Sequence, residues 1–261
     1  MILNTNEDSK WKRVWKQKWV RITTYIFLSL VANFLVFNKP ITNYLVRSYQ
    51  PIINRSTIQN ANKNNGKNDY ASVKRLTLAQ IARARVNAKN IPIVGQICVP
   101  DDGINLPIAK GINNTNLAFA AGTFRNNMEM GKGNYALAGH NMSNLGPKVL
   151  FSPLYYRAKV GQKIYLTDMK NVYTYKITSK KFVSKYRVDL VKNTNKKQVT
   201  LITCDATGAN RLAVQGTYIN SRKYQKTPQN VREALSQKFN QLKLESTKID
   251  RSSDELWVFR T

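Results

Sequence analysis

From Ile91 to Tyr218 the sequence is a succession of short apolar runs rich in Val, Ile, Thr and Tyr. They are cut by turn-forming clusters at Pro100-Asp-Asp-Gly103, Gly111-Ile-Asn-Asn114, Gly131-Lys-Gly-Asn134 and Asp168-Met-Lys-Asn171. Short β-branched runs bounded by such clusters read as strands, and many of them in succession predict an all-β barrel or sandwich. Helical patterns flank this stretch. Val73 to Lys89 has Leu78, Ile81 and Ala82 at helical spacing. Thr227-Pro228 predicts a helix start, with Thr as the N-cap and Pro in the first turn. The stripe Val231, Leu235, Phe239 and Leu242 that follows is expected to pack on the β domain. Trp257, Val258 and Phe259 form a last apolar group, with docking and disorder both open.

Ahead of the β region the composition changes sharply. Residues 1–21 interleave Lys10, Lys12, Arg13, Lys16, Lys18 and Arg21 with Trp11, Trp15 and Trp19, and Ile22–Phe37 then carries no charge. As a helix that run spans roughly 24 Å at about 1.5 Å per residue, short of a hydrocarbon core of about 30 Å. Flanking Trp19 and Val20, with snorkelling Lys18 and Arg21, make up the difference. The cationic, Trp-rich flank marks a signal-anchor with its N-terminus cytoplasmic and the remainder outside the cell. No Ala-x-Ala-like cleavage site follows. The expected organisation is therefore a basic segment 1–21, a membrane span 22–37 and an extracellular linker 38–72. A catalytic domain 73–221 follows, with its β structure from about 91, and then a helical extension 222–261. Within the linker, Asn60–Asn68 reads as a flexible spacer, so a chain starting near Val73 is expected to be soluble and competent.

Charge narrows the partners. With 42 Lys and Arg against 14 Asp and Glu, the net charge of +28 favours polyanions: nucleic acid, anionic membrane lipid or anionic wall polymers. The chain has no zinc-finger spacing, no aromatic RNA-binding signature and no helix-turn-helix pattern, so nucleic acid is not an expected partner.

Candidate chemistry sits at strand ends. Gln198–Thr203 reads as a buried strand ending in Cys204, and after a polar loop a second run, Arg211-Leu-Ala-Val-Gln-Gly-Thr-Tyr218, begins. Paired as a hairpin, these runs put Cys204 opposite Arg211, a fixed cation beside a thiol. The chain's one histidine, His140, closes another short run, Asn134-Tyr-Ala-Leu-Ala-Gly-His140. In Ile97-Cys98-Val99, alternation places Cys98 on the opposite face from its neighbours, and no charge beside it suggests activation. One His and two distant Cys do not make a structural zinc site.

Leu-Ala-Gly-His140, Thr-Leu-Ile-Thr-Cys204 and Arg211-Leu-Ala-Val resemble, in sequence and in order, the three signature motifs of the sortases, most closely the class A branch. The resemblance runs from about Gly95 to about Tyr218, through Leu106-Pro-Ile108, Gly122-Thr-Phe124 and Leu150-Phe-Ser-Pro-Leu154. It implies an eight-stranded β-barrel and a cysteine transpeptidase that cleaves a Leu-Pro-x-Thr-Gly (LPXTG) sorting signal between Thr and Gly. The acyl group then passes to an amine of a peptidoglycan precursor, lipid II. Cys204 would be the nucleophile, His140 the acid/base and Arg211 the oxyanion and substrate stabiliser, with Ala138, Pro107, Ile202 and Thr203 lining the groove. Phe182–Lys197 corresponds in order to the family's specificity loop. Some class A members bind calcium through several acids. Here Glu129 is the one acid between Leu117 and His140, so no cofactor and no calcium requirement are expected. Two other classes stay open: a hydrolytic cysteine peptidase on the same fold, and a non-catalytic wall-binding protein.

Overall fold

The computed structural model describes residues 5–70, 73, 76–146, 148–205 and 207–242, so Trp257–Phe259 lie outside the described residues. Eight strands close a barrel. They are β1 (Ile93–Val99), β2 (Ile104–Ala109), β3 (Ala121–Thr123), β4 (Asn134–Ala138), β5 (Lys163–Thr167), β6 (Asn171–Ser184), β7 (Gln198–Cys204) and β8 (Asn210–Lys223). Around the wall the order is β1-β2-β3-β4-β7-β8-β6-β5. Adjacent strands run antiparallel except for two parallel pairs, β2–β3 and β4–β7. The eight-stranded barrel is the expected one, and each turn cluster named above falls at an element boundary, with Asn114, Asn134 and Asn171 each opening the element that follows.

The period of two decides the core. Ile97 and Val99 on β1, Leu106 and Ile108 on β2, Leu137 on β4 and Val199 and Leu201 on β7 point inward and are buried with Leu212 and Val214. The opposite face of β1 is covered by helix α6 (Gln229–Ser236), where Val231, Ala234, Leu235 and Leu242 pack on Cys98, Tyr165 and Val172. The C-terminal stripe therefore docks as expected, but by a different path. The helix stops at Ser236, Phe239 follows in a tight turn and Leu242 just beyond it, and the Thr227 hydroxyl donates to the Lys223 carbonyl rather than capping the helix.

The chain divides into two units after Ile41. Helix α1, Thr5–Arg47, runs past both ends of the span expected at 22–37, and its Trp15–Arg47 portion is long and apolar enough to cross a membrane. Phe27, Leu30, Phe34 and Leu35 on it are exposed, as bilayer-facing residues would be. Its polar residues use the helix's own carbonyls. Thr24 Oγ1 donates to Val20 O at 2.7 Å and Asn33 Nδ2 to Ser29 O at 2.7 Å, which lowers the cost of placing them in hydrocarbon.

The expected spacer is structured. Arg55–Lys63 form helix α2, capped by Asn54, whose side chain accepts from Thr57 N. Beyond it Gly66 N donates to Asn126 Oδ1 at 2.8 Å, Ile112 N to Asn68 Oδ1 at 2.9 Å and Asp69 N to Ile112 O at 2.7 Å. Gly66 lies so close to the Lys110 carbonyl that a Cβ would stand 2.3 Å from its oxygen, so the Asn/Lys-rich stretch is pinned to the barrel. Val46, Tyr49 and Ile58 are buried, the Tyr49 hydroxyl donates to Ala88 O at 3.3 Å, and its ring lies 4.9 Å from that of Phe119. Helix α3 begins later than expected, at Leu78. There Thr77 and Gln80 form a reciprocal capping box, and α3 ends at Val86.

One buried group is costly. Asp102, in the tight β1–β2 turn that ends on Gly103 (φ 77°), is fully buried, and neither carboxylate oxygen meets a hydrogen-bond partner. Burial pushes its pKa up to about 7, with the neighbouring Asp101 charge adding to the rise and the Lys180 and Arg157 cations opposing it.

Two outcomes follow from these contacts. A chain beginning at Val73 loses three buried side chains worth about 1.5–3 kcal/mol each. It should melt well below a chain beginning at Thr42, and equal melting midpoints would show that residues 42–72 do not stabilise the barrel. Asp102 binds its proton more tightly folded than unfolded, so its contribution is greatest below pH 3.8 and is lost as pH rises towards 7. Asp102→Asn should therefore raise stability in denaturant titrations at pH 8, with an advantage over wild type on the order of 2 kcal/mol larger than at pH 5. An advantage independent of pH would show that the carboxylate does not titrate in this window.

Candidate active site

The site is built by register. In the parallel β4–β7 pair Ala138 stands opposite Ile202, and the pairing continues past the strand, with Gly139 N donating to Ile202 O at 3.0 Å. Two residues on, Asn141 Nδ2 donates to Cys204 O at 3.0 Å. His140 is held between these two bonds, one strand from Cys204. In the antiparallel β7–β8 pair Cys204 stands opposite Arg211. Cys204 and Arg211 are cross-strand partners, and His140, bracketed by the bonds of its neighbours to Ile202 O and Cys204 O, continues their row on the segment beyond β4.

Gly139 explains why the segment before the histidine ends in a residue without a side chain. A Cβ there would lie 2.5 Å from the Phe151 ring, which is fully buried, while Phe151 N donates to His140 O at 3.1 Å. The ring packs where a side chain would stand and the backbone of Phe151 fixes the histidine.

On the other side the loop between β7 and β8 is organised by Asp205. Its carboxylate accepts from Thr207 Oγ1 (2.9 Å), Gly208 N (2.5 Å) and Asn210 N (3.1 Å). Desolvation pushes its pKa upward, but these hydrogen bonds outweigh that and hold it below the usual range. Gly208 takes the left-handed conformation (φ 81°) that closes the loop. Arg211 Nη1 donates to Gly208 O and Asn210 O, each at 3.0 Å, which orients the guanidinium beside the strand end.

His140 is 8 % exposed and its Nε2 is buried without a hydrogen-bond partner. Burial lowers its pKa to about 4, so the imidazole is neutral at physiological pH. Cys204 is half-buried, open to an incoming group, whereas Cys98 is fully buried and burial pushes its pKa up. The two thiols are thereby distinguished: an accessible one facing a histidine and an arginine, and a packed one under α6.

Of the residues expected to line a groove, Ala138 and Ile202 share the outward face with Cys204 and are partly exposed. Pro107 is buried on β2, on the continuation of the same row two strands beyond β4. Thr203 is not brought to this face. Alternation along β7 turns it inward with Leu201, opposite the buried Leu212, at 2 % exposure. Sequence reasoning passed over Asn141, Asp205 and Phe151. An Asn directly after the histidine and an Asp directly after the cysteine were the available signals.

The end of β6 flanks the row, since Val183 pairs with Arg211 and Ser184 with Asn210, and the segment between β6 and β7 leaves from there. It is fastened to the barrel by two side chains. Asn134 Nδ2 donates to Leu190 O (2.8 Å) and Lys192 O (3.0 Å) while its Oδ1 accepts from Thr200 Oγ1 (2.8 Å). The Arg125 guanidinium donates to Val191 O and, at 2.6 Å, to Asn134 O.

Residues 97–219 match the family model of the sortase domain. The chain is 38 % identical to Sortase A of Streptococcus agalactiae serotype III over 86 % of its length and 95 % of that protein. To Sortase A of Listeria monocytogenes it is 36 % identical over 70 % of its length and 83 % of that protein. The solved structure of Listeria monocytogenes sortase A superimposes with a TM-score of 0.50 at 37 % identity, covering 58 % of this chain and 99 % of that one. The fold, the row of residues at the strand ends and these relatives agree: the chain belongs to the sortase family, in its class A branch, whose members are transpeptidases that anchor surface proteins.

Proposed function

We propose that the chain is a membrane-anchored cysteine transpeptidase that cleaves an LPXTG-type sorting signal between Thr and Gly and joins the acyl-Thr to an amine of lipid II. The observation that carries this reading is the single row of His140, Cys204 and Arg211, an acid/base, a nucleophile and a cation on adjacent strand ends.

His140, neutral at rest, is free to act as the base. As Cys204 Sγ attacks the Thr carbonyl carbon, its proton passes to His140 and the carbonyl oxygen becomes an oxyanion facing Arg211. The imidazolium so formed protonates the glycine nitrogen, the C–N bond breaks, and a thioester remains. The incoming amine then attacks that thioester, His140 takes its proton, and the proton returns to the departing Sγ. A guanidinium suits the oxyanion because it keeps its charge at any working pH and offers a planar fork of donors. Ala138 and Ile202, on the face of Cys204, contact the Leu-Pro portion of the signal, with Pro107 at the far end of that row.

No calcium is required in this reading. Glu129 is paired with Lys132 at 2.6 Å, and among the described residues no three His, Cys, Asp or Glu cluster as metal ligands. The helix Trp15–Arg47 anchors the enzyme with its basic N-terminus inside and the barrel outside, and the high positive charge suits anionic lipid and wall polymers.

Incubated with an LPXTG peptide and an amine acceptor, the protein should yield the Thr-acceptor conjugate, at a rate unchanged by calcium or a chelator. Hydrolysis alone would favour a peptidase, and no cleavage a wall-binding protein. Cys204→Ala should abolish the thioester seen by mass spectrometry and Cys98→Ala should keep it. Arg211→Lys should lower kcat about a hundredfold or more, and a loss of only a few-fold would remove Arg211 from the chemistry. On intact cells, added protease should digest the barrel. Protection of the barrel while other surface proteins are cut would overturn the topology.

A further inference from the structure

Beyond α6 the chain leaves the helix at Gln237 and makes a tight turn, closed by Gln241 N donating to Lys238 O at 3.1 Å, that straps β2 to the residues after α1. One edge bonds to β2: Asn105 Nδ2 donates to Gln237 O at 2.6 Å and Asn240 N donates to Asn105 O at 3.0 Å. The other edge bonds to the residues at the end of α1. Phe239 N donates to Gln50 Oε1 (3.0 Å), Gln50 Nε2 donates to Phe239 O (3.1 Å), and Gln241 Nε2 donates to Arg47 O (3.2 Å).

At its centre Asn240 is 2 % exposed and left-handed (φ 57°), and its Oδ1 accepts from Leu150 N at 2.9 Å. Leu150 is itself left-handed (φ 51°), a conformation that costs a side-chain-bearing residue roughly 1–2 kcal/mol and persists only where neighbours enforce it. The enforcing bond comes from Asn240. Leu150 pairs with Asn141 in an isolated β-bridge, and the next residue, Phe151, donates its N–H to His140 O. Asn141 in turn holds the Cys204 carbonyl. One relay therefore leads from the strap to both members of the His140–Cys204 pair.

We infer that Asn240 is a positioning residue for the transfer reaction: its side-chain oxygen holds Leu150 in the left-handed conformation and, through Phe151 and Asn141, sets the imidazole against the thiol. This rests on His140 acting as acid/base. The strap contributes no reacting group, and its function is the geometry of the row. Because the strap is also bonded to Gln50 and Arg47, the residues that end the helix after the apolar span share in that geometry.

Asn240→Gly is the decisive variant, since glycine adopts φ near 57° without strain while it removes the buried carboxamide and with it the acceptor for Leu150 N. It is compared in the full chain in detergent micelles with wild type and with Gln241→Ala, which loses a strap bond away from Leu150. All measurements are made well below each variant's melting midpoint. Asn240→Gly should lose about tenfold or more in kcat with KM within about twofold, the pattern of a misplaced catalytic group. The single histidine's imidazole signal in NMR should shift, with its titration midpoint moving from near 4 towards 6.5 as burial loosens. Gln241→Ala should do neither. Unchanged kcat and an unchanged histidine signal in Asn240→Gly would overturn the inference, leaving the strap a stabilising element only. If the wild-type chain transfers no sorting peptide, the functional reading fails by itself, while the histidine signal still reports whether Asn240 holds the imidazole.

Discussion

The structure depends on one pairing, the parallel alignment of β4 with β7. The two strands lie far apart in sequence, and only a closed barrel with the order found here sets them side by side. Shifting this register by one residue would turn Cys204 inward and Thr203 outward, because side chains alternate faces with a period of two. The register is protected by what it buries. Tyr135, Leu137, Val199 and Leu201 all occupy the inner face, and a slip would expose them together. Packing of the barrel interior and alignment of the reactive row are therefore the same constraint, stated on opposite faces of one wall.

Two buried ionisable groups pull stability in opposite directions over the same pH range. His140, held near 4 by burial, contributes fully above its unfolded value of 6.5 and loses that contribution as pH falls. Asp102, raised to about 7, gains as pH falls towards 3.8. The shifts are of similar size and offset each other between about pH 4 and 7. Burying the imidazole carries no ionisation cost above pH 6.5, where it is already neutral, although its unpartnered Nε2 still loses a hydrogen bond to water.

Much of the fold was legible because its signals are local. Turn residues marked the strand breaks, alternation assigned Cys98 to the face opposite Ile97, and two apolar runs around a short polar loop gave the Cys204–Arg211 register. The approach of His140 to Cys204 was not legible from spacing, since nothing near either residue encodes a parallel pair. It came from resemblance to the sortases. Thr203 was misplaced although alternation with Ile202 already argued against both facing one groove. Residues 38–72 were read as linker because their apolar residues, Leu45-Val46, Tyr49, Ile52-Ile53 and Ile58, fall in short, unevenly spaced groups that run into the Asn- and Lys-rich stretch 60–68. Asn240 gave no signal, since its partner Leu150 is remote in sequence and the bond needs a left-handed backbone at both ends.

The fastening of the β6–β7 segment by Arg125 and Asn134 has a thermodynamic consequence. Ordering a mobile loop around a peptide costs about 1–2 kcal/mol per residue in backbone entropy, and that loss weakens binding. Here three consecutive carbonyls, those of Leu190, Val191 and Lys192, are already held by side chains rooted at β4 and the turn before it. A wall shaped before its guest arrives rejects ill-fitting guests instead of remodelling around them. In the proposed function, where this segment flanks the peptide groove, discrimination among sorting signals rests on shape, and little of the interaction energy is diverted into folding the receptor.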